Sequence, residues 1–348
     1  MPTFSHGELR DVGARLFRAC GAPEDEARLV ADNLVDASLM GLDSHGVTRF
    51  PQYVEQALDG TIKVGAPIAI VRETAGTAVV DCGNNYGMVG GRRMVEVVSE
   101  KVRGPGIACA VSLHCNHVGR LGAYPQRLAE HGLFGFATVN SHRPGHWVTP
   151  WGGREGRLAT NPLAWAAPAD GHPVVMDMST SMIAEGKIRV LMHQGKPLPE
   201  GCVLDAEGVP TTDPKHFYGP PHGTILPFGS PRLGYKGFGL SLMVEILGAA
   251  LAGVPLPGEN EEPDYVNGLF LMAIDPDAFG GRDRFRSLLA EVFDYVASSP
   301  PARGADGVVL PGELDFRTAE KRRAEGIPVA DETWRLIREA GLKAGVRL

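Results

Sequence analysis

Apolar residues recur at helical spacing through Leu29, Val30, Leu34, Val35 and Leu39, which marks one buried face of a helix. Ser5 is placed to cap an earlier helix that Gly21 ends, and Pro23 with Glu24, Asp25 and Glu26 opens the second one. Negative charge in that first turn suits the helix dipole. The helical stretch runs from Ser5 to about Gly41, then meets the loop Asp43-Ser44-His45-Gly46. Beyond it the rhythm changes. Residues 78–81, 107–111, 134–139 and 174–178 are short apolar runs beside Gly, Pro and Asn and predict buried strands. Residues 88–102 and 121–131 predict helices between them. Alternating strands and helices imply an α/β core. Residues 235–251 predict a strongly apolar helix, with further helices over 282–298 and 331–340, and the Pro- and Gly-rich residues 196–230 predict a long loop or excursion. The most apolar stretch, residues 240–257, carries Glu245 and ends in prolines, which makes it a buried helix rather than a membrane span.

The chain has 348 residues, enough for two or three domains. The pattern divides it into a helical N-terminal part over 1–75 that packs with the C-terminal tail, a central sheet domain over 76–320 with a helical excursion at about 185–260, and a helical tail over 321–348. Asp and Glu number 41 against 34 Lys and Arg, a formal charge of -7. An acidic chain without a basic run is a poor partner for nucleic acid, so any positive charge for an anionic substrate must be local. Cys20, Cys82, Cys109, Cys115 and Cys202 are odd in number, widely spaced and free of any C-x-x-C. They predict a reducing, cytoplasmic setting and no structural zinc. The first residues lack the pattern of a signal peptide.

A dinucleotide enzyme usually carries G-x-G-x-x-G between a strand and a helix. Neither Gly83, Gly87, Gly90 and Gly91 nor Gly234, Gly237 and Gly239 have that spacing, so glycine pattern alone does not predict a dehydrogenase.

Several polar clusters are candidates for chemistry. In Asp43-Ser44-His45-Gly46-Val47-Thr48-Arg49 a histidine beside a hydroxyl, with an arginine four residues on, suits carbonyl reduction. The imidazolium can protonate the developing oxyanion, and the guanidinium fork can hold a carboxylate. The plain alternative is a loop histidine beside a surface arginine. His114-Cys115-Asn116-His117-Val118-Gly119-Arg120 follows a predicted strand, where open α/β sheets bind ligands. His114 and His117 have a spacing that a metal could use, but no carboxylate or Cys pair completes the shell. In Asn140-Ser141-His142-Arg143-Pro144-Gly145-His146, Pro144 and Gly145 argue against a helix that would pair the two histidines, so a polar loop lining a cofactor fits better. Asp177, flanked by Met176 and Met178 at a strand end, is expected to be partly buried and to need a partner. That partner is either a catalytic histidine or the N-terminus of a helix starting near Ser181. Gly234-Tyr235-Lys236-Gly237 opens the apolar helix and suits an anion such as pyrophosphate. Pro311-Gly312-Glu313 is a turn whose acid could accept from a ribose hydroxyl.

Taken together, these stretches resemble the malate/L-lactate dehydrogenase family that lacks a Rossmann domain, whose members include ureidoglycolate and sulfolactate dehydrogenases. The resemblance rests on Asp43 to Arg49, Pro150-Trp151-Gly152-Gly153, Thr160-Asn161-Pro162, Asp177-Met178-Ser179-Thr180-Ser181, Gly186-Lys187-Ile188, residues 195–201, Tyr235-Lys236-Gly237 and Pro311-Gly312-Glu313, all in the family's order. It implies an α/β fold with a non-Rossmann mixed-sheet core that binds NAD or NADP, helical N- and C-terminal parts, and a homodimer with the active site near the subunit interface. It implies reduction of a small 2-oxo acid to its 2-hydroxy acid, with His45 as proton donor, Ser44 and Asp177 supporting it, and Arg49 near the substrate carboxylate. His117 is the rival proton donor. His117, Ser141, Thr160, Asp177, Met178, Ser179, Lys236, Pro311, Gly312 and Glu313 fall at cofactor positions. No metal and no membrane are implied. Many members carry Ser-His-Phe-Gly where this chain has Asn116-His117-Val118-Gly119. That variant looks like the hydroxycarboxylate dehydrogenase branch and leaves Arg120 as a candidate for a second substrate carboxylate or a cofactor phosphate. Two rivals stand beside this reading: a metal-dependent hydrolase built on His114, His117, His142 and His146, and a non-catalytic relative that only binds a dinucleotide or a partner chain.

Overall fold

Ser5 starts the first helix as its spacing predicts. Its side chain accepts the N–H of Glu8, and the Glu8 carboxylate accepts the N–H of Ser5, closing a capping box on helix His6–Ala19. Gly21, at φ +94°, turns the chain out of that helix, and Glu24–Leu39 follows with its three acids in the first turn. The computed structural model describes residues 1–142, 145–254 and 266–348. Arg143 and Pro144 of the third polar cluster, and the expected ends of the apolar stretch and the excursion beyond residue 254, lie outside the described residues.

The chain divides into two compact units. Residues 1–137, 165–176 and 271–348 form the first, and residues 138–164 and 177–270 form the second. In the first unit, Leu9, Phe17, Leu34, Phe50, Tyr53 and Ile337 are almost wholly buried in one core. Phe17 meets Phe50 and Tyr86 edge-on, at centroid distances of 5.6 and 5.5 Å, a favoured aromatic geometry. Strand Thr3–Phe4 pairs antiparallel with Ile327–Pro328.

A seven-stranded sheet is ordered Ala69–Glu73, Thr77–Asp81, Ile107–Leu113, Asn267–Ile274, Phe134–Ser141, Leu163–Ala167, Val174–Met178. It is mixed: the first pair is antiparallel and the second parallel. Helix Gly87–Lys101 makes the crossover that the parallel pair requires.

In the second unit, residues 196–230 are more ordered than a loop. Strands Thr224–Ile225, Val203–Leu204 and Pro210–Thr211 form a small sheet, and Asp213 caps the short helix Pro214–Tyr218. The Pro and Gly that suggested a loop terminate these elements rather than prevent them. The helix expected over 235–251 runs as Gly234–Glu245 and then widens to a π-helical stretch, Ile246–Ala250. Among the described residues no helix is long and apolar enough to cross a membrane.

Candidate active site

The loop that carries His45 is held from several sides. Asp43–His45 and Val47–Arg49 are single 3-10 turns joined by Gly46. A Cβ on Gly46 would lie 2.0 Å from the Ser38 hydroxyl, and that hydroxyl accepts the Val47 N–H at 3.0 Å. Arg322 pairs with Asp43 at 2.7 Å, and Thr48 donates to the Asp43 carbonyl at 2.6 Å. A side chain held this way loses little freedom when it meets a ligand.

His117 arrives from the other side of the same unit, past the C-terminal end of strand Ile107–Leu113. Its ring stacks on that of His45, with centroids 5.7 Å apart and planes 16° apart. The Tyr53 hydroxyl lies 2.5 Å from His117 Nδ1, and the Gly119 N–H donates to the same nitrogen at 3.3 Å. A nitrogen that accepts the Gly119 N–H carries no proton, so the His117 proton sits on Nε2. Ser44 Oγ lies 3.1 Å from His45 Nδ1. Arg49 donates from Nε to the Ser44 carbonyl at 2.8 Å and from Nη1 to Gln52 at 2.6 Å, which among the described residues leaves the Nη2 hydrogens for a ligand.

Burial, and then the Arg49 guanidinium, hold the His45 imidazole down at about 4. Burial, Arg49 and His45 hold His117 well below the usual histidine range. Burial also raises the Tyr53 phenol, against a smaller opposing pull from Arg49. Both rings are therefore neutral near pH 7, and His117 is a fixed Nε2–H donor. Because both folded-state values are depressed, the unfolded chain binds more protons once the pH falls below about 6.5. Stability is fully present above that value and is lost toward pH 4. The thermal midpoint is expected to fall between pH 7 and pH 5, and to fall less in a His45→Gln/His117→Gln variant. An equal fall in both proteins would assign the acid sensitivity to other groups.

His114 does not join this pair. Its Nδ1 lies 2.9 Å from Asp81 Oδ1, so both loop ends of the parallel strand pair are tied together. Among the described residues, no three His, Cys, Asp or Glu side chains are grouped as one metal would need. His142 and His146 turn to the carbonyls of Val266 and Ser141, at 3.1 and 3.0 Å. Arg120 is buried, donates to Gln126 at 2.8 Å, and opposes the rise that burial gives the Asp315 carboxyl.

The first unit also holds Pro311, Gly312 and Glu313. Gly312 is left-handed at φ +86°, and a Cβ there would lie 2.8 Å from the Val175 carbonyl. The Glu313 carboxylate accepts the Leu310 N–H at 3.1 Å and pairs with Arg317.

The remaining candidates belong to the second unit. Asp177 is exposed, contrary to the expectation of partial burial. It does not cap the next helix, which begins at Glu185 behind Ala184. Met178, Ser179, Ser141 and Thr160 are half-buried. Thr160 offers its carbonyl to the Thr180 N–H at 3.0 Å. Lys236 is exposed in the first turn of helix Gly234–Glu245. Half-buried hydroxyls and an exposed ammonium on a glycine-rich helix start suit ribose hydroxyls and a pyrophosphate, so these residues fit a nicotinamide dinucleotide.

Sequence reasoning missed Tyr53, Ser38 and Arg322, which position the histidines, and also Glu245. The Glu245 carboxylate accepts from Asn140 and Asn161, both at 2.8 Å. A lone acid in an apolar helix (such a group needs partners) was the available signal.

A family model described as malate/L-lactate dehydrogenase matches residues 4–338. The L-sulfolactate dehydrogenase of Methanocaldococcus jannaschii is 34% identical over 337 residues, spanning 96% of this chain and 94% of that protein. Hydroxycarboxylate dehydrogenase B of Escherichia coli is also 34% identical, over 95% of this chain and 91% of its own. The solved malate dehydrogenase of Entamoeba histolytica matches with a TM-score of 0.93 at 28% identity, covering 100% of this chain and 99% of that one.

Proposed function

The chain belongs to the malate/L-lactate dehydrogenase family, oxidoreductases that act on the CH–OH group of 2-hydroxy acids, and we propose that His45 exchanges the proton while Arg49 holds the substrate carboxylate. The observation that carries this reading is the stacked pair of His45 and His117 beside Arg49. When bound, a nicotinamide cofactor, NAD or NADP, would provide hydride-transfer chemistry for the C2 carbon of the acid. The Nε2–H of His117 polarises the C2 oxygen as a neutral donor. Ser44 fixes His45 through Nδ1, so that Nε2 exchanges a proton with the same oxygen. The free Nη2 edge of Arg49 orients the carboxylate, and that anion offsets the repulsion by which Arg49 lowers the His45 pKa. Ser141, Thr160, Met178, Ser179 and Lys236 are the residues of the second unit that would hold the cofactor, and the Pro311 to Glu313 turn has that part in the first.

The reading extends to a homodimer in the cytoplasm. It is supported by helix Arg282–Ala297, which buries none of its residues within the chain, and by five free cysteines. The test is NADH and NADPH oxidation followed at 340 nm with pyruvate, oxaloacetate, a phenylpyruvate and a cyclic imino acid, on wild type and Arg49→Gln. Turnover with one of these acids, and a KM for it raised about tenfold or more in Arg49→Gln, is the expected result. Silence of the folded protein with both cofactors across the panel would favour the binding-only relative.

A further inference from the structure

The first unit contains a second cavity that the reaction does not use. It has a volume of about 540 Å³, within the range of small-molecule sites, roughly 300–1,000 Å³. It lies between helix Gly87–Lys101, helix Ala123–Glu130 and the start of helix Arg282–Ala297, and shares no residue with the candidate active site. Its walls carry Arg92, Arg103, Arg127, Arg282 and His131 against only two carboxylates, Glu96 and Asp275. In a chain of formal charge -7, such a concentration of guanidinium groups in one concave surface is against the overall balance.

The two carboxylates are already engaged. Glu96 pairs with Arg92 and with the neighbouring Arg93, at 3.1 and 3.2 Å, and Asp275 pairs with Arg282 at 3.1 Å. Among the described residues, Arg103 and Arg127 meet no carboxylate at ion-pair distance. Two further donors lining the cavity, Ser99 Oγ and Arg282 Nε, are buried without a hydrogen-bond partner among the described residues. Buried donors without partners are costly, and a ligand with several acceptor oxygens would satisfy them.

We propose that this cavity is a binding site for a small multivalent oxyanion, phosphorylated or polycarboxylic, gripped by Arg103 and Arg127 and completed by Ser99 and Arg282. Guanidinium forks bind carboxylate and phosphoryl oxygens in pairs, and two of them facing one cavity favour a ligand with at least two anionic groups over a monovalent ion. Such a site would let an anionic metabolite regulate the enzyme without competing for its active site.

The test is calorimetric titration of the full chain, with saturating reduced nicotinamide cofactor present, using pyrophosphate in one arm and tricarballylate in the other. The expected result is saturable one-to-one binding of at least one of them. Affinity should fall at least about tenfold in Arg103→Gln/Arg127→Gln, since each charge-assisted bond is worth that order. Ser99→Asp, which places a carboxylate inside the cavity, should abolish the same binding event. Both variants should keep the wild-type turnover and melting temperature. Preference for one arm identifies the ligand as phosphorylated or polycarboxylic. Absence of binding in both arms, or binding that neither variant weakens, overturns the proposal.

Discussion

Replacing His45 by alanine is expected to lower kcat for 2-oxo acid reduction about 10²–10⁴-fold, the usual worth of a positioned general acid, and to leave cofactor affinity unchanged. The ring is half-buried, as is that of His117 stacked on it, with its Nδ1 taken by Ser44. Its low pKa, about 4, fixes the pH signature. The donor must be protonated for reduction, so wild-type kcat/KM in that direction should climb as the pH falls toward about 4. Oxidation needs the neutral ring and should be flat from pH 6 to pH 8. His45→Ala should lose the acid limb. If that limb survives in His45→Ala and disappears in His117→Ala, the proton belongs to His117 and the two roles exchange. Steady-state kinetics in both directions over pH 5 to 8 decide between them.

Gly87→Ala is expected to give a large loss of stability from a small chemical change. A Cβ at that position would lie 2.0 Å from the Asn116 carbonyl and 2.6 Å from that of His117. Both obstacles are backbone atoms, which cannot swing aside as a side-chain tip can. Either the start of helix Gly87–Lys101 or the His117 loop must move, and forced repacking of this kind costs about 1–3 kcal/mol. Because the displaced loop carries Gly119, whose N–H fixes the His117 tautomer, kcat should fall along with the melting temperature. Gly104→Ala, with open space around its added methyl, serves as the control and should stay within about 0.5 kcal/mol. Equal melting temperatures for the two variants would show that the loop yields freely and is not part of a rigid site.

The parts of the fold legible in the sequence were those with a strong local signal. Ser5, Gly21 and the acidic turn after Pro23 mark two helices within a residue or two of their ends, because capping is local chemistry. Strand Val174–Met178 was read at its true bounds. Helix Glu313–Glu325 was not anticipated, since only Phe316 and Ala319 of it are buried, too few for a periodicity. Leu163–Ala167, and Asn267–Ile274 after its first residue, are apolar runs in a buried sheet, where strand and helix look alike. In the site, His45, Ser44 and Arg49 were legible because they share one loop. Tyr53 reaches His117 across 64 positions, a closeness that only the folded chain creates. Asp177 was misjudged as partly buried because its methionine neighbours suggested an apolar setting, whereas alternation along a strand sends adjacent side chains to opposite faces.

Glu245 also bears on how this architecture can be inherited. The second unit is two separate insertions, residues 138–164 and 177–270, in a chain whose remainder belongs to the first. Asn140 and Asn161 come from one insertion, and the carboxylate that both of them donate to comes from the other. Loss of the longer insertion alone would leave two buried amides without that acceptor, and loss of the shorter one alone would leave the half-buried Glu245 carboxylate without these two donors. Recombination at either pair of boundaries therefore yields a defective intermediate. The two stretches depend on each other, and the unit is one structural module although it is written in two places.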